Sequence, residues 1–370
     1  MDDKLHEIDS QYGLVIEYLD DLPTAGPELA EAYDRAHSLL NRWSIKNALE
    51  AVNSCLLARN TPSQRVALLI FRNNCLLLEG VLAKAEDGYL DALVEAKEAD
   101  DRLAVVPGMN NIGVIYRARG WPNKALHYHT TAMRLCVEFV IRHGEAIQLS
   151  NIGGVYQEKG QPEKALSYYE KALTAYRDCE NRWGEAVQLG RIGMAYQEMR
   201  QSDKALEYFQ QSLEIFGEVR DVQGQAAQLG NIGIICRHKG KLDKALEYYS
   251  QALSTYQEMG NRWKQAVVMS EIGHAYRLKD DLEDALRWYQ SALQMERVLQ
   301  SRRGEADQLT NMALVYQLQG DMEKAARQYQ QALEIYGRMG DTFKVDMIKQ
   351  NLRIGGEKHK FWSDLLDGAE

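Results

Sequence analysis

The central part of the sequence repeats itself every 40 residues, and this periodicity constrains the fold more than any other feature. An Ile-Gly pair marks the register and becomes Met312-Ala313 in the last copy. The pair recurs at Ile112-Gly113, Ile152-Gly153, Ile192-Gly193, Ile232-Gly233 and Ile272-Gly273. No insertion interrupts residues 101–340, so they form six consecutive units. Such regularity predicts stacked structural units that share one continuous core.

Each unit has the pattern of two helices. In the third unit, Ala186, Leu189, Ile192 and Tyr196 follow each other at spacings of three and four, which places them on one helical face. A break follows, and other units place a glycine there, which suits a left-handed residue at a helix end. A second apolar helical stripe begins at Ala205. We therefore predict an all-α fold, a right-handed superhelical solenoid of antiparallel helix pairs whose first helices line a concave groove.

Small residues predict close packing between the two helices of a unit. Gly193 has no side chain and Ala205 has a single methyl group, so we expect the helices to approach each other there. Phe209 and the tyrosines in its column are then expected to fill the remaining space towards the next unit. These tyrosines are Tyr169, Tyr249, Tyr289 and Tyr329.

The pattern resembles the tetratricopeptide repeat. The residues that carry the resemblance are Leu149, Ile152-Gly153, Tyr156, Ala165, Tyr169 and Ala172. The usual tryptophan of the first helix is replaced by leucine or methionine, and the period is 40 residues instead of 34. This longer form is similar to the repeats of the Pins/LGN adaptors, of kinesin light chains and of bacterial peptide-sensing regulators. The resemblance implies a repeat fold and a role in binding polypeptides.

The pattern weakens on both sides of the regular units. Residues 1–100 are expected to be an N-terminal helical region with degenerate repeats, including a helix over 4–20 and a degenerate unit over 62–100. Residues 101–340 are the six regular repeats. Residues 341–370 are expected to form a capping helix, because an open stack would expose an apolar face, and a short tail from about 355.

Charge and composition limit the classes of partner. The net charge of −9 disfavours nucleic acid, whose phosphates normally bind to a basic surface. We find no apolar run as long as a membrane span, and the acidic N-terminus lacks the order of a signal peptide. The 5 cysteines contain no CxxC pair, which favours buried thiols over a disulfide framework. We expect a cytoplasmic protein.

The sequence contains no motif typical of an enzyme. A phosphate-binding loop, an HExxH motif and a nucleophile elbow are all missing from it. His127 and His129 are two residues apart, so a helix would point them in different directions and away from a shared metal. His238 and His274 are expected to project into the groove, which leaves a proton or metal switch as a minor alternative. We predict a protein without catalytic residues, cofactors or metals.

The position before each Ile-Gly pair is expected to face the groove. It holds Asn111, Asn151, Arg191, Asn231, Glu271 and Asn311, and we call this set the asparagine row. A carboxamide can both donate to and accept from an extended peptide backbone. The resemblance implies this role for Asn111, Asn151, Asn231 and Asn311, because the related adaptors and light chains bind peptides with an asparagine ladder. The alternative is that these side chains satisfy neighbouring helix ends or face water.

A second polar position lies further along the same helices. It holds Arg117, Gln157, Gln197, Arg237, Arg277 and Gln317, and we call this set the arginine–glutamine row. Together with Arg191 it predicts a groove that is locally basic inside an acidic protein, which favours a peptide with acidic side chains or a free carboxylate. The alternative is that the arginines pair with groove acids such as Glu198 or Glu271.

Three functional hypotheses follow from the sequence. The favoured one is an interaction scaffold or adaptor that holds a segment of a partner protein in the groove. The second is a regulatory module that senses a peptide or signal and controls an effector. The third is a structural protein that assembles end to end, and the oligomeric state is left open. A fold alone does not decide among them.

Overall fold

The computed structural model describes residues 45–57, 61–78, 81–100, 102 and 105–356. Every regular element in these ranges is an α-helix, so the predicted all-α fold of antiparallel helix pairs is confirmed. The contacts divide the chain into two compact units, Met1–Ile215 and Phe216–Glu370, and each is described by itself. The predicted helix over 4–20 and most of the predicted tail lie outside the described residues.

The first unit is a succession of helices joined by short connections. Consecutive helices pack against each other, and few contacts reach a helix further along the chain. The helices are α1 Ile45–Leu57, α2 Pro62–Leu78, α3 Leu82–Glu98, α4 Val105–Ala118, α5 Pro122–Glu138, α6 Arg142–Glu158, α7 Pro162–Asp178 and α8 Arg182–Glu198, and α9 spans Ser202–Glu218, with its last three residues assigned to the second unit. The described part of the N-terminal region is thus helical as well. We call the first helix of each 40-residue repeat helix A and the second helix B.

The second unit continues the same arrangement. Its helices are α10 Val222–His238, α11 Leu242–Glu258, α12 Arg262–Leu278, α13 Leu282–Val298, α14 Arg302–Leu318, α15 Met322–Met339 and α16 Thr342–Gly356. Helix α16 packs on α15 and buries Ile348 and Leu352 completely. It thereby occupies the place of a further helix A and covers the apolar face of the last repeat.

The connections after the helices contain residues in the left-handed backbone conformation. Gly120, Gly160, Gly240 and Gly320 have φ angles from 66° to 78°, as the sequence pattern predicted. Backbone bonds close the connection in the way of a Schellman motif, for example from Trp121 N to Tyr116 O at 2.8 Å. Most helices A begin at a side chain that accepts a backbone N–H, as Asp221 does from Gly224 N at 2.9 Å. These two devices set the helix boundaries.

An aromatic ring of helix B lies directly over the glycine of helix A in the regular repeats. A methyl group built on Gly193 would come within 2.6 Å of the Phe209 ring, and one built on Gly153 within 2.6 Å of the Tyr169 ring. The expected close approach at the glycine therefore occurs, but the ring of the same repeat fills the space, and Ala205 is not its nearest neighbour. Both rings are fully buried. This contact fixes how the two helices of a pair cross.

Val140 occupies a left-handed position where the equivalent connections use Gly260 and Gly340. Its φ angle is 60°, which is unfavourable for a β-branched residue. Its side chain is 72% exposed, so little packing is lost when it is removed. We expect Val140→Gly to raise the free energy of unfolding by about 1 kcal/mol, measured by urea denaturation. Val137→Gly is the matched control inside α5 and should lower it, because glycine only adds backbone freedom there.

Candidate functional site

In the first unit, the two asparagines of the asparagine row are buried. Asn111 is fully buried and its Nδ2 donates to Asn74 Oδ1 at 2.7 Å and to the Tyr89 hydroxyl at 3.1 Å. Asn151 is 2% exposed and donates to Asn110 Oδ1 at 2.8 Å. Asn110 in turn donates to Asn111 Oδ1 at 3.0 Å. These amides connect α2, α3, α4 and α6, so their hydrogen-bonding groups serve the packing of the helices.

The buried network extends to a histidine. Gln148 donates to Asn110 Oδ1 at 3.0 Å, and its Oε1 lies 3.0 Å from His129 Nδ1. Burial lowers the pKa of His129 to about 4, so the imidazole is neutral at pH 7. Because Gln148 Oε1 can only accept, the hydrogen-bond pattern assigns the His129 proton to Nδ1. His129 thus takes the place of the aromatic ring over Gly113 and has a packing role.

The arginine–glutamine row of the first unit is engaged by neighbours. Arg117 is 8% exposed, and its Nε donates to Glu158 Oε1 at 2.8 Å. Gln157 accepts from the Tyr169 hydroxyl at 2.7 Å and donates to Glu198 Oε1 at 2.6 Å. The polar groups of Arg117 and Gln157 are therefore largely satisfied within the protein.

Two predicted residues of the first unit are more accessible. Arg191 is half-buried, and its guanidinium carbon lies 5.8 Å from the centre of the Tyr169 ring. Gln197 is half-buried as well, and the residue of α9 that would bond to it is Phe209, which has no hydroxyl group. Both side chains keep polar groups that a ligand can reach.

The asparagine row is more open in the second unit. Asn231 and Asn311 are half-buried, and each donates to a glutamine one turn earlier on its own helix. The distances are 3.2 Å to Gln228 Oε1 and 3.4 Å to Gln308 Oε1. Among the described residues, no donor bonds to either Oδ1 atom. The same sequence position is thus an internal link in α4 and α6 and an accessible amide in α10 and α14.

Glu271 and Arg237 form an ion pair. Arg237 Nη2 lies 3.0 Å from Glu271 Oε2, and the buried Tyr249 hydroxyl contacts both side chains. This arrangement realises, for Arg237, the alternative in which an arginine pairs with a groove acid. Gln317 is also engaged, since it accepts from the Tyr329 hydroxyl at 2.9 Å and donates to Asn351 O at 3.2 Å.

Arg277 lies beside two neutral groups. The Tyr289 hydroxyl lies 2.8 Å from His274 Nδ1, and the charge of Arg277 acts on this hydroxyl. Burial raises the pKa of Tyr289 to about 12 and lowers the pKa of His274 to about 4, so both are neutral at pH 7. The direction of the hydrogen bond between the hydroxyl and His274 Nδ1 follows the histidine tautomer: the hydroxyl donates when the ring proton is on Nε2 and accepts when it is on Nδ1. Arg277 itself is half-buried.

One shared contact explains why many positions of the arginine–glutamine row hold a polar residue. A buried tyrosine of helix B, twelve residues further on, places its hydroxyl on the row residue of the same repeat. The hydrogen-bonded pairs are Gln157 with Tyr169, Arg237 with Tyr249, and Gln317 with Tyr329. Burying a hydroxyl without a partner is unfavourable, so the row has a structural role beside any role in binding.

Sequence reasoning missed two groups of residues. Asn74, Asn110 and Gln148 form the buried network, and a signal for them was the presence of carboxamides at otherwise apolar helix positions. Leu278 and Leu318 are 49% and 59% exposed in the last turns of α12 and α14. Their signal was a change of character, because the same position holds Glu158 and Glu198 in earlier repeats.

Two further observations concern membranes and metals. None of the described helices is both long and apolar enough to cross a bilayer. Within the described ranges, no three histidine, cysteine, aspartate or glutamate side chains come together as a metal site would require. Four of the cysteines are buried and Cys179 is partly exposed, and all five are free thiols.

Comparison with known proteins defines the class. The sequence profile of the Tetratricopeptide repeat family matches residues 105–178, 185–258 and 264–338, which together make up more than half of the chain. The chain therefore belongs to the tetratricopeptide repeat family. The search of curated proteins found no match to this chain.

Solved structures show the same fold. The apo form of RapI matches with a TM-score of 0.62 at 14% identity, over 75% of this chain and 99% of RapI. A Rap protein complexed with Competence and Sporulation Factor matches with a TM-score of 0.60 at 13% identity, over 91% of this chain and 99% of that one.

A third structure is a Signal Transduction ATPase with Numerous Domains from Pyrococcus horikoshii, which has a tetratricopeptide repeat sensor. It matches with a TM-score of 0.61 at 17% identity, over 93% of this chain and 55% of that one. At these identities the three structures share a fold with this chain.

Proposed function

We propose that this protein binds a segment of a partner polypeptide along the helix A surface of its repeats. The observation that carries the proposal is the contrast within the asparagine row. Asn111 and Asn151 are buried and donate hydrogen bonds to other buried side chains. Asn231 and Asn311 are half-buried, and their amide oxygens accept no hydrogen bond from the described residues. A polar position that repeats without a packing role is suited to contact a ligand.

The chemistry of the accessible residues fits an extended polypeptide. A carboxamide can accept from a peptide N–H and donate to a peptide C=O without regard to the side chain. Arg191 and Gln197 of α8 and Arg277 of α12 add donors on other helices A, and the two arginines favour acidic groups in the ligand. The residues that we propose as contacts are Arg191 and Gln197 in the first unit and, separately, Asn231, Arg277 and Asn311 in the second unit. The other predicted residues of the two rows support them from within the protein.

A binding experiment tests this proposal. Peptides are selected from a random display library on the full chain, and the affinity of selected peptides is measured by fluorescence polarisation. We expect the double substitution Asn231→Ala with Asn311→Ala to weaken binding at least tenfold, since each lost amide hydrogen bond contributes about 1 kcal/mol. Asn123→Ala is the matched control, because Asn123 is an exposed amide at the start of a helix B.

The result that would overturn the proposal is equal affinity of the wild type, the double variant and the control. A selection that yields no binding peptide at all would overturn it as well. Thermal unfolding followed by circular dichroism shows whether each variant keeps its fold.

A peptide-sensing regulator is the second candidate. It is favoured by the match to a Rap protein complexed with Competence and Sporulation Factor over 91% of this chain, which includes part of the region before the regular repeats. In a sensor, a bound peptide changes a second surface of the protein. Hydrogen exchange in α1–α3 distinguishes the two candidates: protection that changes on binding favours the sensor, and unchanged protection favours the scaffold.

A further inference from the structure

Three arginines occupy the arginine–glutamine row, and two of them have a carboxylate partner. Arg117 bonds to Glu158, which lies 41 residues further on. Arg237 pairs with Glu271 at 3.0 Å, and this partner lies 34 residues further on. The fold therefore offers two positions, at +34 and +41, from which the next repeat can neutralise an arginine of this row.

At Arg277 both of these positions hold neutral residues. Position +34 is Asn311 and position +41 is Leu318. No carboxylate of the described chain forms an ion pair with Arg277, and Tyr289, on which its charge acts, is neutral. His274, beside Tyr289, is neutral at pH 7 as well. The charges that act on His274 are the guanidinium groups of Arg237 and Arg277 and the carboxylate of Glu271, and this carboxylate is already paired with Arg237.

A half-buried guanidinium without a counter-ion is suited to bind an anion. Partial burial weakens its hydration, and a carboxylate can receive two parallel hydrogen bonds from the planar guanidinium. His274 lies beside it as a neutral polar ring, whose Nδ1 is hydrogen-bonded to the Tyr289 hydroxyl. The local chemistry therefore suits the binding of a ligand carboxylate at Arg277, on helix A of this repeat.

Exposed leucines occupy the position after Arg277 in the sequence and the +41 position in the next repeat. Leu278 follows Arg277 directly and is 49% exposed, and Leu318 replaces the missing carboxylate at +41 and is 59% exposed. Leu314, one turn before Leu318, is half-buried. An anion that is small and fully hydrated, such as inorganic phosphate, gains nothing from these leucines. A ligand with a carboxylate next to an apolar side chain gains from both.

We infer that Arg277, His274, Tyr289, Leu278 and Leu318, together called the Arg277 site, bind a partner polypeptide at a carboxylate that is followed or preceded by an apolar side chain. The inference rests on the proposed function and specifies which part of the ligand is recognised. The carboxylate belongs to an aspartate or glutamate side chain or to the C-terminus of the ligand. Both sources present the same anion to Arg277.

Two peptide libraries distinguish these sources. One displays random twelve-residue peptides within a flanking sequence, so that they have no free C-terminus, and the other displays them at a free C-terminus. Both are selected on the full chain at the same pH and salt concentration. We expect enrichment of an acidic residue next to Leu, Ile, Val, Met or Phe in the first library, or of an apolar C-terminal residue in the second.

The selected peptides are then tested against three variants. Arg277→Gln is expected to weaken binding at least tenfold. Leu318→Glu places a carboxylate at the +41 position from Arg277, which corresponds to Glu158 relative to Arg117. This carboxylate should pair with Arg277 within the protein, so binding should also weaken at least tenfold. Arg287→Gln is the control, since it removes one positive charge from an exposed position of the same repeat. It should bind as the wild type does, apart from a small long-range effect.

The outcomes separate this inference from the proposed function. Selected peptides can depend on Asn231 and Asn311 but bind Arg277→Gln and Leu318→Glu as tightly as the wild type. This result would support the proposed polypeptide binding and show that the inferred carboxylate site is wrong. If the peptides show no acidic residue and no terminal preference, the inference is also wrong. If no peptide is selected, the proposed function fails and the inference fails with it.

Discussion

Tyr249→Ala should lower the free energy of unfolding by about 4 kcal/mol, as expected for the loss of a fully buried aromatic ring. The Tyr249 ring is 1% exposed and lies over Gly233, where a built methyl group would come within 2.5 Å of it. Removing the ring leaves a cavity between α10 and α11 that neither backbone can fill without moving. The hydroxyl bonds to Arg237 and Glu271 are lost at the same time.

Tyr249→Phe separates the ring from the hydroxyl. It keeps the packing and removes the hydrogen bonds, so it should cost about 1 kcal/mol. Phe209 already occupies this column in another repeat, which shows that the ring suffices there. Urea denaturation followed by circular dichroism measures both variants, and hydrogen exchange localises the loss, because repeat arrays can unfold in parts. A phenylalanine variant as unstable as the alanine variant would contradict the assignment of the stability to the ring.

Gly233→Ala and Gly230→Ala should change stability in opposite directions, although the two glycines lie three residues apart in α10. Alanine is the better helix former by about 1 kcal/mol at either position. A methyl group on Gly233 would overlap the Tyr249 ring, whereas one on Gly230 would find no atom within 4 Å. The ring is buried and cannot move aside without disturbing its own contacts. We expect a loss of about 2 kcal/mol for Gly233→Ala from overpacking.

Gly230→Ala should gain about 0.5–1 kcal/mol, because only its helix propensity changes. The same denaturation experiment compares the two variants, and each is the control for the other. Equal effects of the two substitutions would mean that the ring moves freely and that the glycine does not set the distance between α10 and α11.

The regular part of the fold could be predicted from the sequence because its cause is local and repeated. The Ile-Gly pair and the aromatic residue sixteen positions after its glycine describe a single contact, as Gly153 with Tyr169 and Gly193 with Phe209 show. Six copies of the pattern leave one consistent register. The left-handed helix ends at Gly120 and Gly160 were predictable for the same reason, since the φ angle there favours glycine.

The accessibility of the asparagine row could not be predicted in this way. Asn111 and Asn231 occupy the same repeat position, but Asn111 faces Asn74 and Tyr89, which come from helices before the regular repeats. A polar residue in a neighbouring helix turns an accessible amide into a buried one. Likewise, the partner of Arg237 is a glutamate at a position that holds asparagine in most repeats. Such pairings depend on the departures from the repeat and not on the repeat itself.

The uniform helix spacing has a consequence for how such a chain can change its length. Successive helices from α5 to α15 begin 20 residues apart, and nearly all helix contacts join neighbours in the sequence. Deleting or duplicating a 40-residue block therefore joins two equivalent connections and restores the same type of helix interface. An insertion of one or two residues within a helix would rotate the apolar stripe after it by about 100° or 200°, away from its partners. Recombination between repeats is thus a structurally tolerated route to longer or shorter relatives of this protein.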